Sequence, residues 1–188
     1  MIVIVPYKPA WPSEFAAIAA RIRAAVNDSI VAIHHIGSTA VPGLAAKNTI
    51  DMQITVADIA TADRLPLAAA GFTLGAPRTD HCPPGMTLPP EQLEKRFWKI
   101  EKGDDRLANV HVRVQGRFNQ RYPLLCRDYL RSHSGAANAY GEIKMQLARL
   151  HPDDQDAYYD VKDPVFDIIM VGAEDWAAQT RWSTPPSD

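Results

Sequence analysis

His35-Ile36-Gly37-Ser38-Thr39 closes an apolar run and is followed by a single acid, Asp51. A glycine lets a ligand approach the backbone, a serine adds a hydroxyl, and the N–H groups of such a turn can cradle phosphate. A carboxylate close by, Asp51 with Gln53 beside it, could hold Mg²⁺ or Mn²⁺ bridging the same phosphates. The plainer alternative is a tight turn with a capping serine. Further on, Asn109, His111 and Arg113 alternate with valines. His111 has the chemistry to bind phosphate, ligate metal or move protons, and equally to serve as a hydrogen-bonded structural residue. Lys99, Arg96 and Arg113 suit a triphosphate clamp or a solvated strand face. Lys47 lies four residues before Asp51 and can pair with it or with phosphate. His35 adjoins the turn and is read as orienting it; His34 points the other way and is read as structural or exposed. Arg127 and Arg131 flank Asp128 at helical spacing, either as a surface salt-bridge face or as a helix docking on the pocket. Lys144 and Lys162 receive no role.

Several other chemistries lack their signatures. Residues 43–47 have no Gly-Lys-Ser/Thr of a P-loop. There is no Gly-x-Ser-x-Gly elbow and no His-Glu-x-x-His helix. His81-Cys82 is one pair, too few for zinc.

These residues need elements to position them. Phe15, Ile18, Ala19, Ile22 and Val26 recur at helical spacing, which predicts a helix over 12–26 ended by Asn27-Asp28. A strand is expected over 30–36. Over 49–56 apolar and polar residues alternate, so Asp51 and Gln53 share one face while Ile50, Met52, Ile54 and Val56 share the other. Asp58 caps a helix expected to reach Gly71, weakened by Pro66. A short strand follows at 72–74. Residues 75–92 hold five prolines and two glycines, which predicts a long loop, of a length uncommon unless functional or disordered, and the sequence does not say whether it is a lid. A hairpin is expected from 94–101 and 107–115 around Gly103-Asp104, with Asn109, His111 and Arg113 on one face. Helices are expected over 119–132, 135–150 and 154–180, the last kinked or split at Pro164.

The chain has 188 residues with 20 basic and 22 acidic side chains, a formal charge of −2. Such a balance exerts no long-range pull on nucleic acid or anionic membrane. No apolar run approaches the roughly 18 residues of a membrane span. Met1 to Pro6 lacks the basic region of a signal peptide. Cys82 and Cys126, the only cysteines, make neither a disulfide framework nor a zinc knuckle. A cytoplasmic protein with no nucleic-acid or membrane partner is expected. The element order predicts an α+β fold, a mixed-sheet α/β core with a C-terminal helical cap. One domain is expected over 1–188, with the core in 1–116 and the helical region in 117–182.

Gly37-Ser38 after one strand and Asp51 on the next resembles the nucleotidyltransferase superfamily, although Gln53 replaces its second carboxylate and the later strand offers no third. A longer set of motifs is more specific. It comprises Pro6-Tyr7-Lys8-Pro9-Ala10-Trp11, His35 through Lys47, Ile50-Asp51, Asn109-Val110-His111-Val112, Arg127-Asp128-Tyr129-Leu130-Arg131 and Tyr140-Gly141-Glu142-Ile143-Lys144. Together these resemble the GrpB family over about residues 3–180. The resemblance implies a nucleotidyltransferase-like fold and, because some members are fused to dephospho-CoA kinase, a protein partner in CoA metabolism. It attaches no reaction. The expectation is a nucleotide- or phosphate-binding protein, a nucleotidyl or phosphoryl transferase with an incomplete metal triad, or alternatively a non-catalytic accessory module. In the catalytic form Ser38, Asp51 and His111 act, Gly37, Ser38, Thr39, Lys99 and Arg113 hold phosphate, and Asp51 with Gln53 holds the metal.

Overall fold

Pro12 fixes the first turn of helix α1 (Trp11–Val26), and apolar residues recur every three or four positions after it. Trp11, Phe15, Ile18, Ala19, Ile22 and Val26 form one buried stripe. The computed structural model describes residues 1–26, 28–76, 78–100 and 106–188. In it the stripe covers one face of a mixed sheet built from β1 (Ala32–Ile36), β2 (Ile50–Val56), β3 (Thr73–Leu74), β4 (Arg78–Thr79), β5 (Glu94–Ile100) and β6 (Ala108–Val114). The strands run in the order β1-β2-β6-β5-β3, with β4 paired to β5 off this path. The central pair β2 and β6 is parallel; the other pairs are antiparallel.

The alternation in β2 and β6 does what the sequence demands of it. Ile50, Met52, Ile54, Val110 and Val112 go into the core beneath α1. Register sets Asp51 opposite Asn109 and Gln53 opposite His111, so the polar residues of both strands share the other face. That face meets α3 (Phe118–Ser132), α4 (Ser134–Leu150) and α5 (Gln155–Thr180). These helices share a second core with the turn after β1, in which Val41 and Leu44 meet Leu125, Cys126, Tyr140 and Met170. The architecture is mixed α/β with a C-terminal helical region, as expected.

Three expectations need correction. The helix expected from Asp58 to Gly71 is two pieces, α2 (Ile59–Arg64) and a 3-10 turn over Leu67–Ala70. Asp58 accepts from the Thr61 N–H at 2.7 Å as a cap. Pro66 then forces Leu65 out of helical geometry, to φ −62°, ψ 126°. The stretch 75–92 is not wholly irregular, since β4 pairs with β5 and Pro90–Gln92 forms a 3-10 turn. Pro164 does not split α5, which is one helix with Tyr158 buried before the proline and Met170 and Ala173 buried after it. Packing of both halves outweighs the one lost hydrogen bond. Of the two readings of His34, structural or exposed, the structure agrees with the first: it is buried, with Nε2 3.1 Å from the Pro186 carbonyl. The expected stop at Asn27 and turn at Gly103-Asp104 lie outside the described residues. Among the described residues no helix is long and apolar enough to cross a membrane.

Candidate functional site

Between the polar face of the sheet and helices α3 to α5 lies a cleft of about 520 Å³. Ser38, Asp51 and His111 all border it, together with Gly37, Thr39 and Arg113. Residues from the first turn, five strands and three helices are thus brought to one place.

The turn is built for close approach. Gly37 adopts φ 68°, ψ −170°, a conformation open essentially to glycine alone. A Cβ there would stand 2.8 Å from Asp51 Oδ2. The bare glycine lets the turn close over Asp51, and Ser38–Ala40 follow as a 3-10 turn. Thr39 is buried, its Oγ1 2.9 Å from His35 Nε2. His35 stacks on Phe15 with ring centres 4.7 Å apart. Burial, reinforced by Arg131 and Arg127, lowers the pKa of His35 to about 4. The neutral imidazole therefore holds the turn's shape and is not a proton shuttle near neutral pH. Arg127, 3% exposed, donates to the His35 carbonyl at 2.9 Å and pairs with Asp128 and Asp188. Arg131 donates to the Ala40 carbonyl at 2.9 Å. The Arg127/Arg131 pair is accordingly a helix docked on the turn, and no bland surface face.

Asp51 accepts from Asn109 Nδ2 at 2.9 Å. Burial raises its pKa, opposed by the Asn109 bond and by Lys162 and Lys47. Gln53 is fully buried, and both ends of its amide are engaged. Oε1 accepts from Arg113 Nη1 at 2.7 Å, and Nε2 donates to the Gln120 carbonyl at 2.9 Å. Gln53 therefore positions Arg113 and has no end turned to a metal. Arg113 in turn makes two bonds to Asp80, at 2.8 and 2.9 Å, and Lys95 binds the same carboxylate. Asn119 Nδ2 adds a third donor at 3.0 Å. Burial alone would raise Asp80, but Arg113 and Lys95 hold it well below the usual carboxylate range. Arg113 is thus largely neutralised within the protein. His111 lies with Nδ1 3.4 Å from Arg113 Nη2 and its ring against Phe97.

Mg²⁺ or Mn²⁺ prefers several anionic oxygens. The cleft's carboxylates do not supply them. Asp80 is held by Arg113 and Lys95, Asp163 pairs with Lys162 at 2.6 Å, and Asp51 remains alone. Among the described residues no three His, Cys, Asp or Glu side chains gather as a metal site. The residues present do not fit a resident metal centre.

The cations at the cleft differ from those expected. Lys99 stands opposite Asn109 in register but is not among the lining residues. Arg96 is on the other face of β5, paired with Asp63 and Glu94. Instead Lys47, Lys144 and Lys162 border the cleft on its helical side. Lys144, 3% exposed, places Nζ 2.7 Å from Ser38 Oγ and also donates to the Ala45 carbonyl at 2.5 Å. Burial, then Lys162, lowers its pKa to about 7. Lys47 Nζ donates to Tyr159 Oη at 2.9 Å and lies 4.7 Å from the Tyr158 ring centre. Among the described residues no carboxylate stands within ion-pair distance of Lys47 or Lys144.

Sequence reasoning missed Asp80, Lys144 and Lys162. A signal for Lys144 existed: Tyr140 and Lys144 are four apart and share a helix face. Gly141 between them lets α4 approach, since a Cβ there would stand 3.2 Å from Leu44 Cδ1.

The family profile described as GrpB protein matches residues 1–171. The chain is 35% identical over 197 residues to a protein named dephospho-CoA kinase from Mycolicibacterium paratuberculosis, covering 95% of this chain and 47% of that one. It is 32% identical to a UPF0157 protein of Halalkalibacterium halodurans, over 92% of this chain and 82% of the relative. The crystal structure of a conserved GrpB protein from Enterococcus faecalis superposes with a TM-score of 0.73 at 28% identity, over 93% and 99% of the two chains. The chain spans about half the length of the dephospho-CoA kinases it matches.

Proposed function

The chain belongs to the GrpB family, and on that premise we propose that its cleft binds a phosphate-bearing small molecule. The supporting observation is the cationic side of the cleft, where Lys47 donates to Tyr159 and Lys162 pairs with Asp163, and, among the described residues, no carboxylate stands within ion-pair distance of Lys47. Phosphate oxygens would replace the carboxylates missing there, at the mouth of the Gly37-Ser38 turn. Phe118, Tyr122 and Phe166, with ring centres 5.4 and 6.0 Å apart along the row, offer a wall for an aromatic base. A nucleotide has both parts. In this reading the Gly37-Ser38 turn and Asp51 on the next strand serve as the phosphate end of a nucleotidyltransferase-like site. With Asp51 the one described carboxylate of the cleft not held by a cation, recognition rests on the protein's cations, and any metal would have to arrive with the ligand.

Calorimetry with ATP, GTP, CTP, UTP and CoA tests this, each with and without Mg²⁺ or Mn²⁺. Binding of one of them, weakened at least tenfold in Lys47→Met/Lys162→Met, is the expected result. No binding by the folded protein to any of them overturns it.

A second reading has its own support. The matched dephospho-CoA kinases carry a region like this chain across about half their length. An accessory role beside a CoA-pathway enzyme is tested by mixing the chain with a separately produced kinase and measuring association by sedimentation. A mixture that sediments as two independent species removes it.

A further inference from the structure

Ser38 and Lys144 meet in a way that phosphate binding does not require. The hydroxyl borders the open cleft, and its oxygen lies 2.7 Å from an amine on a buried stem. The amine is fixed from two further sides, by the Ala45 carbonyl and by the Tyr140 ring, whose centre is 4.6 Å away. A neutral amine so placed gives one N–H to Ala45 and keeps a lone pair for the Ser38 hydroxyl. A hydroxyl within hydrogen-bond reach of an oriented base is the arrangement of an activated nucleophile, and serine–lysine pairs are one of its recurring forms.

We propose that Ser38 is a nucleophile with Lys144 as its general base, and that it accepts the acyl group of an ester or thioester. Ser38 Oγ forms a bond to the carbonyl carbon while its proton passes to Lys144 Nζ. The C–O or C–S bond then breaks, and the proton leaves with the alcohol or thiol. Water attacks the acyl-serine, Lys144 takes one of its protons and returns it to Ser38 Oγ as the acyl–Oγ bond breaks, and the acid departs as a carboxylate, its remaining proton going to solvent. Net consumption is one ester and one water.

Acyl chemistry is favoured over phosphoryl chemistry by electrostatics. A phosphate dianion at Ser38 would protonate Lys144 and remove the base, whereas an uncharged carbonyl leaves it free. The groups acting on Lys144 are Lys162, Asp51 and Cys126, of which Lys162 dominates and lowers its proton affinity; Tyr140 also faces it. Lys47 and Lys162 supply positive charge for the oxyanion that develops.

The test is reaction of the intact protein with an alkyl fluorophosphonate, read by intact mass and peptide mapping. In that reaction the Oγ–P bond forms, the P–F bond breaks, fluoride leaves and Lys144 takes the proton. One adduct on Ser38 is expected. Its rate should rise about tenfold from pH 6 to pH 8 as the amine loses its proton, a readout that needs no variant. It should vanish in Ser38→Ala, fall at least a hundredfold in Lys144→Met, and persist in Ser13→Ala, whose hydroxyl lies outside the cleft. No Ser38 adduct on the folded protein, or equal labelling of Lys144→Met, overturns the proposal. The inference stands on the dyad and not on the phosphate reading: labelling without nucleotide binding would refute that reading alone, and nucleotide binding without labelling would refute this one alone.

Discussion

Replacing Lys144 by methionine tests whether the folded protein holds this amine near neutrality. Burial and Lys162 depress its pKa from 10.5 to about 7. Between those values the unfolded chain binds a proton that the folded protein does not, so this residue makes stability rise with pH across that window. Below about pH 7 both states carry the proton and the folded state bears the full cost of a buried charge. The slope approaches about 1.4 kcal/mol per pH unit. Integrated from pH 6 to pH 9, the wild type should gain about 2.5 kcal/mol relative to Lys144→Met. Urea unfolding of both proteins at the two pH values measures the difference, and the titrations they share cancel. The variant should be relatively most stable at the acid end and lose ground toward the alkaline end. A difference constant to within about 0.5 kcal/mol would mean that Lys144 is not desolvated as its position requires, and the general-base role would lose its electrostatic footing.

Asp80→Asn should destabilise the protein by about 3 to 5 kcal/mol, because the buried Arg113 then loses the carboxylate that it binds through two nitrogens. Urea titration measures this, and a loss under about 1 kcal/mol would contradict the pairing. Asp80 is held below the ordinary range. Its contribution is therefore full above the unfolded value of about 3.9, is lost as pH falls through the lower folded value, and is missing from the acid limb of Asp80→Asn. Gly37→Ala should cost about 3 kcal/mol, since alanine disfavours φ 68° and its Cβ would meet Asp51 Oδ2 at 2.8 Å; an unchanged unfolding midpoint would show that the turn tolerates a side chain. Arg127→Met should loosen the segment ending at Asp188, which pairs with Ile33 along β1. Faster hydrogen exchange at Asp188 N–H is the expected sign, and unchanged protection there would refute it.

The sequence by itself determined the elements and the faces they present. Alternation in 50–56 and 108–114 left one way to bury the valines and isoleucines, and that choice put Asp51, Gln53, His111 and Arg113 on one surface. The helical spacing of Phe15, Ile18 and Ile22 likewise dictated which side of α1 meets the sheet. Local chemistry also marked the Gly37-Ser38 turn, because a glycine without a side chain and a neighbouring hydroxyl are properties of the chain itself. What periodicity does not encode is which charge answers which across long separations. Asp80 sits in a proline-rich stretch with no period, yet it pairs with Arg113, thirty-three residues away, through two hydrogen bonds. Lys144 looks like any helix-face lysine until packing against Leu44 brings it to Ser38, 106 residues earlier, and burial strips its ammonium of water. Desolvation and ion pairing depend on the full set of neighbours in space, and only the tertiary structure fixes that set.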